Sequence, residues 1–290
     1  MTRTLISAAT WNRPRGRALY WVLFTVVIVV FTLVFLGPLY WMVTGGFKST
    51  QEIIQSPPTA YPHSFNFDTY AKAWRDLHMA RLLWNSIYYA FGALAFQLVF
   101  DVAAAYALSK IRPVLGNLIL GLMLATLMIP AAVLIVPQYV TVVDIPIFHV
   151  NLVNTPWAIW LPTVTNAFNI FLLKRFFDSI PDELLAAAAI DGAGPLQTLR
   201  LIVLPMSKPI LGVVSIFAVV NVWKDFLWPM LVQPDPANQP VNIGINSLSQ
   251  GVPQNEIIAG LTIASIPTII FFLIFQRSIM SGLTSGGLKG

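Results

Sequence analysis

Long apolar stretches alternate with short polar ones along this chain. The apolar stretches run about Leu19–Val43, Leu83–Leu108, Val114–Val140, Pro156–Phe177, Pro209–Val232 and Ile257–Ile279. A helix needs about 20 mostly apolar residues to cross the hydrocarbon of a bilayer, so each stretch predicts a membrane span. Pro38, Pro130, Pro162, Pro229 and Pro267 fall inside them and predict kinks, tolerated where neighbours satisfy the freed carbonyls. The first stretch is too long for a signal peptide core and lacks a small-x-small cleavage site, so it is expected to stay. The pattern predicts an all-α membrane protein with about six spans, forming a single transmembrane domain over residues 1–290.

Composition agrees. Hydrophobic residues make up 57% of the 290 and charged residues only 10%, whereas soluble domains carry about 25% charge. Lipid must therefore solvate much of the surface. The net charge of +5 could point to nucleic acid, but the basic residues form no stripe; they lie between the apolar runs. One side holds Arg3, Arg13, Arg15, Arg17, then Lys110 and Arg112, then Lys174, Arg175, Arg200 and Lys208, and last Arg277 and Lys289. The other side holds Lys48, Lys72, Arg75 and Arg81, all in one long loop. The excess of positive charge places both termini in the cytoplasm. Thr44–Arg81, Thr141–Thr155 and Gln233–Glu256 are then the outer loops. No cysteine is present, which excludes disulfides and thiolate chemistry. His63, His78 and His149 lie far apart and read as solvated loop residues rather than metal ligands.

The polar segment from Ile180 to Pro205, "IPDELLAAAAIDGAGPLQTLRLIVLP", reads as two short helices. Ser179 is placed to cap the first, with Pro181 near its first turn and Asp182 and Glu183 at its positive end. Gly192 suits a left-handed stop after Asp191, and Pro195 restarts the helix. In the second helix Leu196, Leu199, Ile202 and Val203 share a face, and Pro205 ends it. The alanine run makes the first helix slim, fit for close approach to another surface. Equally, it could lie on lipid headgroups or against its own bundle.

At Ala187, Ala188, Gly192, Ile202, Leu204 and Pro205 the segment resembles the cytoplasmic signature loop of permease subunits in binding-protein-dependent ATP-binding-cassette importers. The family pattern is Glu-Ala-Ala, three residues, Gly, nine residues, Ile-x-Leu-Pro. Its glutamate falls on Ala186, and the nearest acid is Glu183, one turn earlier. The flanking "IPDELL" and "IDGA" resemble the carbohydrate branch, especially the maltose-type second permease subunit. "FNFDTYAKAW", "AYALSKI", "VWKDFLWPMLV" and "FQRSIMSGLTSGGLKG" resemble further family segments in the right order, with Lys224 where asparagine is usual. The resemblance implies a coupling helix seated in an ATPase subunit, carried by Glu183, Ala186, Ala187, Ala188, Asp191, Gly192, Ala193, Ile202, Leu204 and Pro205. It implies a second permease as heterodimer partner, two ATPase subunits holding ATP and Mg, an extracytoplasmic binding protein and a carbohydrate cargo. No cofactor is expected on this chain, and no catalytic or metal site.

Polar groups inside spans are costly and usually face a bundle interior or a wet cavity. In the fifth stretch Phe217, Asn221, Lys224, Asp225 and Trp228 recur at helical spacing and form one face of hydrogen-bonding groups and aromatic rings, the two things a sugar needs. That stripe lines a translocation path or forms an internal polar seam. Asn166 and Asn169 present the same pair of readings, whereas Gln97 and Asp101 read as helix–helix hydrogen bonding. "GGFKST" lacks the glycine before its lysine that a phosphate loop requires, so any ATPase must be another polypeptide. A stand-alone secondary transporter or channel would call for inverted repeats or a coupling acid, and a membrane enzyme for clustered acids or nucleophiles; neither pattern is present in the sequence.

Overall fold

The computed structural model describes residues 14–57 and 59–287, and every described element longer than a bridge is helical. The tail charges Arg3, Arg13 and Lys289 lie outside the described residues. Cα packing separates two compact units, residues 14–73 with 252–262, and 74–251 with 263–287.

In the first unit, α1 (Pro14–Gly45) runs through the first apolar stretch with Pro38 inside it. The short α2 (Thr50–Ile54) follows, closed by a capping box in which Ser49 and Glu52 satisfy each other's backbone N–H groups. Lys48 is fully buried; its ammonium lies 3.9 Å from the Trp41 ring and donates to Thr59 O. Glu52 accepts from the backbone N–H of Ser49 at 2.9 Å and of His63 at 2.8 Å. These bonds hold its carboxyl below the usual carboxylate range. Buried charge is thus matched with donors and acceptors in a loop that the sequence marks only as turn-rich.

The second unit holds α4 (Met79–Tyr106), whose buried stripe includes Ala90, Ala93, Gln97, Asp101 and Ala105. The helix that precedes it is α3 (Asp68–Asp76). α4 ends in a π-helical turn, Ala107–Ile111, stopped by Arg112 in the left-handed region. Next come α5 (Gly116–Thr126) and α6 (Ala131–Val143), bent 102° at the break before Pro130 and Ala131. The stretch expected as one span over 156–177 is divided into α7 (Trp157–Trp160) and α8 (Ala167–Asp178). The polar segment over 180–205 forms α9 (Asp182–Ile190), α10 (Pro195–Thr198), a second π turn Leu199–Val203 and, with Met206, α11 (Leu204–Met206). The stretch expected over 209–232 is likewise divided, into α12 (Lys208–Lys224) and α13 (Leu227–Val232). After α14 (Val241–Leu248), α15 (Gln254–Gly287) continues through Pro267.

Among the described residues, length and apolarity mark three helices as able to cross a membrane alone, or up to five spans if each of two bent pairs counts once. The three lie over the expected stretches 19–43, 83–108 and 257–279. Pro162 and Pro130 do more than kink, because each lies where the helix stops, while Pro38 and Pro267 sit inside unbroken helices. The core of this unit joins α4, α8 and α12 through Val102, Ala105, Ile170, Leu173, Phe177 and Val214. A second cluster joins α4, α7 and α13 through Tyr89, Ala93, Trp160 and Trp228. Gly92 permits that second contact, since a Cβ there would stand 2.3 Å from the Trp160 ring.

Candidate functional site: two broken helices around one cavity

Each divided span contributes its break to the same place. A partly open cavity of ≈ 180 Å³ is lined by Ile159 of α7 and the segment after it, by the end of α12 with the start of α13, and by Gln97 of α4. Irregular backbone at membrane depth is stable only where protein buries it or where it lines a cavity. Both breaks meet that condition, and side chains of this chain satisfy most of the groups they free.

At the first break Pro162 has no N–H to donate. The Thr163 hydroxyl donates to Ile159 O at 3.0 Å and Trp160 O at 3.1 Å. Asn166 then starts α8 as its N-cap, its side-chain oxygen accepting from the N–H groups of Phe168 and Asn169. The N–H of Asn166 itself donates to Asp101 Oδ1 at 2.9 Å. Asp101 is fully buried, with the side-chain amide of the buried Asn169 beside its carboxyl group. At the second break, Asp225 is extended and its Oδ1 accepts from Trp228 N at 3.4 Å. Trp223 O accepts from the amide of Asn242 at 2.7 Å. The buried Trp228 donates its indole N–H to Ala158 O at 2.9 Å, which ties α13 to α7. Trp160 donates to Tyr89 O at 3.1 Å and ties α7 to α4.

The stripe expected along one helix face is therefore not one face. The helix stops at Asp225, because that carboxyl bonds forward to the α13 backbone instead of following the α12 register. Asn221, Asp225 and Trp228 still line the cavity, joined by Asn166, Gln97 and Thr165. Lys224 and Phe217 are outside its lining; Lys224 is exposed, and Phe217 lies against Phe168 with ring centroids 6.0 Å apart. No ion pair joins Lys224 to Asp225 among the described residues. Asn169 is buried beside Asp101 rather than facing the cavity. Gln97 and Asp101 separate, one to the cavity and one to the α8 cap. Thr163 and Thr165 were missed by sequence reading; a threonine pair just after a proline in an apolar span was the available signal.

The second candidate site is the stretch around α9. Ser179 is not its cap: the hydroxyl turns back to Phe176 O at 2.6 Å and closes α8. Pro181 precedes the first residue of α9 instead. Gly192 has φ +80°, with Ala193 N donating to Ala188 O and Gly192 N to Ala189 O, the paired bonds of a Schellman stop. Gln197 caps α10 by accepting from Gly194 N. The π turn shifts the register that follows, so Val203 is buried while Leu196, expected on the same face, is 76% exposed. Pro205 lies inside α11, and the chain turns by 84° only at Ser207. Glu183, Ala186, Ala187 and Asp191 are exposed, as is Pro205; Ala188 is buried; Ala193, Ile202 and Leu204 are half-buried. Two side chains outside the family pattern stand out most, Ile190 at 87% exposure and Leu196 at 76%.

This stretch is latched to the end of α4. Lys110 Nζ donates to Ile180 O at 2.7 Å and Asp182 Oδ1 at 2.8 Å, and Arg112 donates to Asp182 Oδ2 at 2.9 Å. These bonds, from Lys110 first and then Arg112, hold the Asp182 carboxyl below its ordinary range. Ser109 and Lys174 both donate to Asp178, and Tyr106 OH reaches Pro195 O at 3.0 Å.

Residues 97–284 match the family described as the binding-protein-dependent transport system inner membrane component. The chain belongs to that family. Curated relatives include the sulfoquinovosyl glycerol transport system permease SmoH of Agrobacterium fabrum, 33% identical over 88% of this chain and 89% of that one. The diacetylchitobiose uptake permease NgcG of Streptomyces coelicolor is 28% identical, covering 91% and 87%. The sn-glycerol-3-phosphate permease UgpE of Yersinia pestis is 29% identical, covering 89% and 94%. Among solved structures, a bacterial ABC transporter that imports the acidic polysaccharide alginate has a chain of the same fold, with TM-score 0.78, 22% identity and coverage of 95% and 99%. The protein is thus a multi-pass inner-membrane permease, a non-catalytic part of a binding-protein-dependent ABC system whose ATPase is a separate subunit.

Proposed function

We propose that this permease imports a carbohydrate, of di- or oligosaccharide size. It pairs with a second permease and rests on two ATPase subunits, which hold the ATP and Mg, and it receives cargo from an extracytoplasmic binding protein. Relatives named for sulfoquinovosyl glycerol, diacetylchitobiose and sn-glycerol-3-phosphate support a sugar or glycerol-derived cargo. The α9–α10 stretch is the coupling element and the cavity is part of the path. Closure of the ATPases displaces α9, the bundle rocks, and the cavity changes the side to which it opens. Such a cycle works because the partners bind its two states with different energies.

The observation that supports the coupling role is the exposure of Ile190 at the end of α9 and Leu196 at the start of α10, on either side of the Gly192 stop. Buried in an ATPase cleft, two such apolar anchors stand where binding energy concentrates. Ile190→Asp with Leu196→Asp should leave the permease folded but cut its co-purification with the ATPase at least about 30-fold, the equivalent of ~2 kcal/mol. Retained binding, with ATP hydrolysis still stimulated by the loaded binding protein, would exclude this surface as the coupling element.

A further inference from the structure

The cavity's lining carries a charge pattern that narrows the cargo. Its one ionisable side chain is Asp225; the rest are amides, hydroxyls and apolar groups, and no lysine, arginine or histidine is among them. Two helix N-termini also border it, and such ends ordinarily attract anions through their free N–H groups. Here both are already taken. Asn166 Oδ1 accepts from Phe168 and Asn169, Asp101 Oδ1 accepts from Asn166, and Asp225 Oδ1 accepts from Trp228. An anion in this cavity would meet the Asp225 carboxyl group and no basic side chain in the lining, the neighbouring Lys224 being exposed and outside it, so its partly lost hydration is not replaced there. A neutral polyol would meet the amides of Gln97, Asn166 and Asn221 as hydrogen-bonding groups, Asp225 as an acceptor and the Trp228 ring as a wall.

We infer that this permease passes uncharged carbohydrates and disfavours anionic ones, with Asp225 as the specificity-determining residue. The inference rests on the proposed carbohydrate cargo and sharpens it.

The test uses the full transporter in proteoliposomes with its own binding protein. A neutral disaccharide, its uronate and glycerol-3-phosphate are the probes, with uptake and ATP hydrolysis read together. At equal occupancy of the binding protein, the anions should enter at least about tenfold more slowly than the neutral sugar, as like-charge juxtaposition requires. Asp225→Asn keeps an acceptor for Trp228 N. It should narrow that gap, and should raise the KM for the neutral sugar by about tenfold at little changed maximal rate, the loss of a charge-assisted hydrogen bond. A binding protein that takes only neutral sugars supports the cargo class, and the KM of Asp225→Asn then decides the role of Asp225: an unchanged KM removes it. Equal uptake of neutral and anionic probes, or a binding protein that takes only anions, overturns the inference. Should no carbohydrate of either charge stimulate uptake, the carbohydrate reading itself fails.

Discussion

At the cavity, Trp228 is buried and its indole N–H ends on Ala158 O, inside a wall of packed rings. At the α9 stretch, Lys110 is only 2% exposed but the Asp182 it grips is 59% exposed, and the apolar residues beyond face outward. Both are interruptions of helix in an apolar chain. The first is held by buried hydrogen bonds between side chains and backbone, which have few alternatives in hydrocarbon. The second is held by ion pairs at a wet surface, which salt screens and which reform easily. The difference fits the proposed division of labour: a wall that keeps its shape, and a lever that must be gripped and released by a partner.

The comparison breaks most sharply at Trp228. Trp228→Ala should destabilise the subunit by about 3–5 kcal/mol, by removing a buried ring together with its bond to α7. Yield and thermal unfolding of the purified complex measure this. Trp228→Phe should recover most of the packing and lose only the hydrogen bond. A Trp228→Ala subunit as stable as the parent would mean that the wall is not held as described. Asp101 gives a smaller effect with a clearer chemical signature. Asp101→Ala leaves Asn166 N–H without its acceptor and should cost about 1–3 kcal/mol. Asp101→Asn retains an oxygen there and should restore most of it. Equal behaviour of the two variants in thermal unfolding would remove Asp101 from the support of α8.

The sequence made the membrane class legible, because so little charge cannot cover a soluble surface. It also made the α9 stretch legible, because its signals are local: Gly192 at a left-handed stop and Pro195 at a restart both act within one turn. The cavity was only half legible. Asn221, Asp225, Trp228 and Asn166 stood out as polar or aromatic groups in spans, but their assembly depends on two helix breaks fixed by distant partners. Asp101 lies 65 residues from the Asn166 it caps, and Ala158 lies 70 from Trp228. A periodicity argument extends a helix through such points, which is why Lys224 and Phe217 were grouped with a face they do not share. Ile190 carries no signal in the sequence, and Leu196 reads there only as part of an apolar face, for the opposite reason: ordinary apolar residues become conspicuous only where the fold leaves them uncovered.

The smallest expected effect lies in the latch, and its pH dependence carries the information. The folded-state pKa of Asp182 is lowered by Lys110 and Arg112, so the latch contributes fully above the unfolded carboxylate value, about 3.9, and is lost only as pH falls through the lower folded value. Exposed pairs of this kind contribute little to global stability, so hydrogen exchange in α9 is a better readout than unfolding. Asp182→Asn should speed exchange across α9 by a modest factor, with the same difference from the parent at every pH between about 8 and 5. In strong salt the difference should shrink, because the pair is exposed on one side. If instead the parent loosened near neutral pH while Asp182→Asn did not change, another group would hold α9 in place. The contrast between a screened lever and a buried wall would then have to be drawn at a different residue.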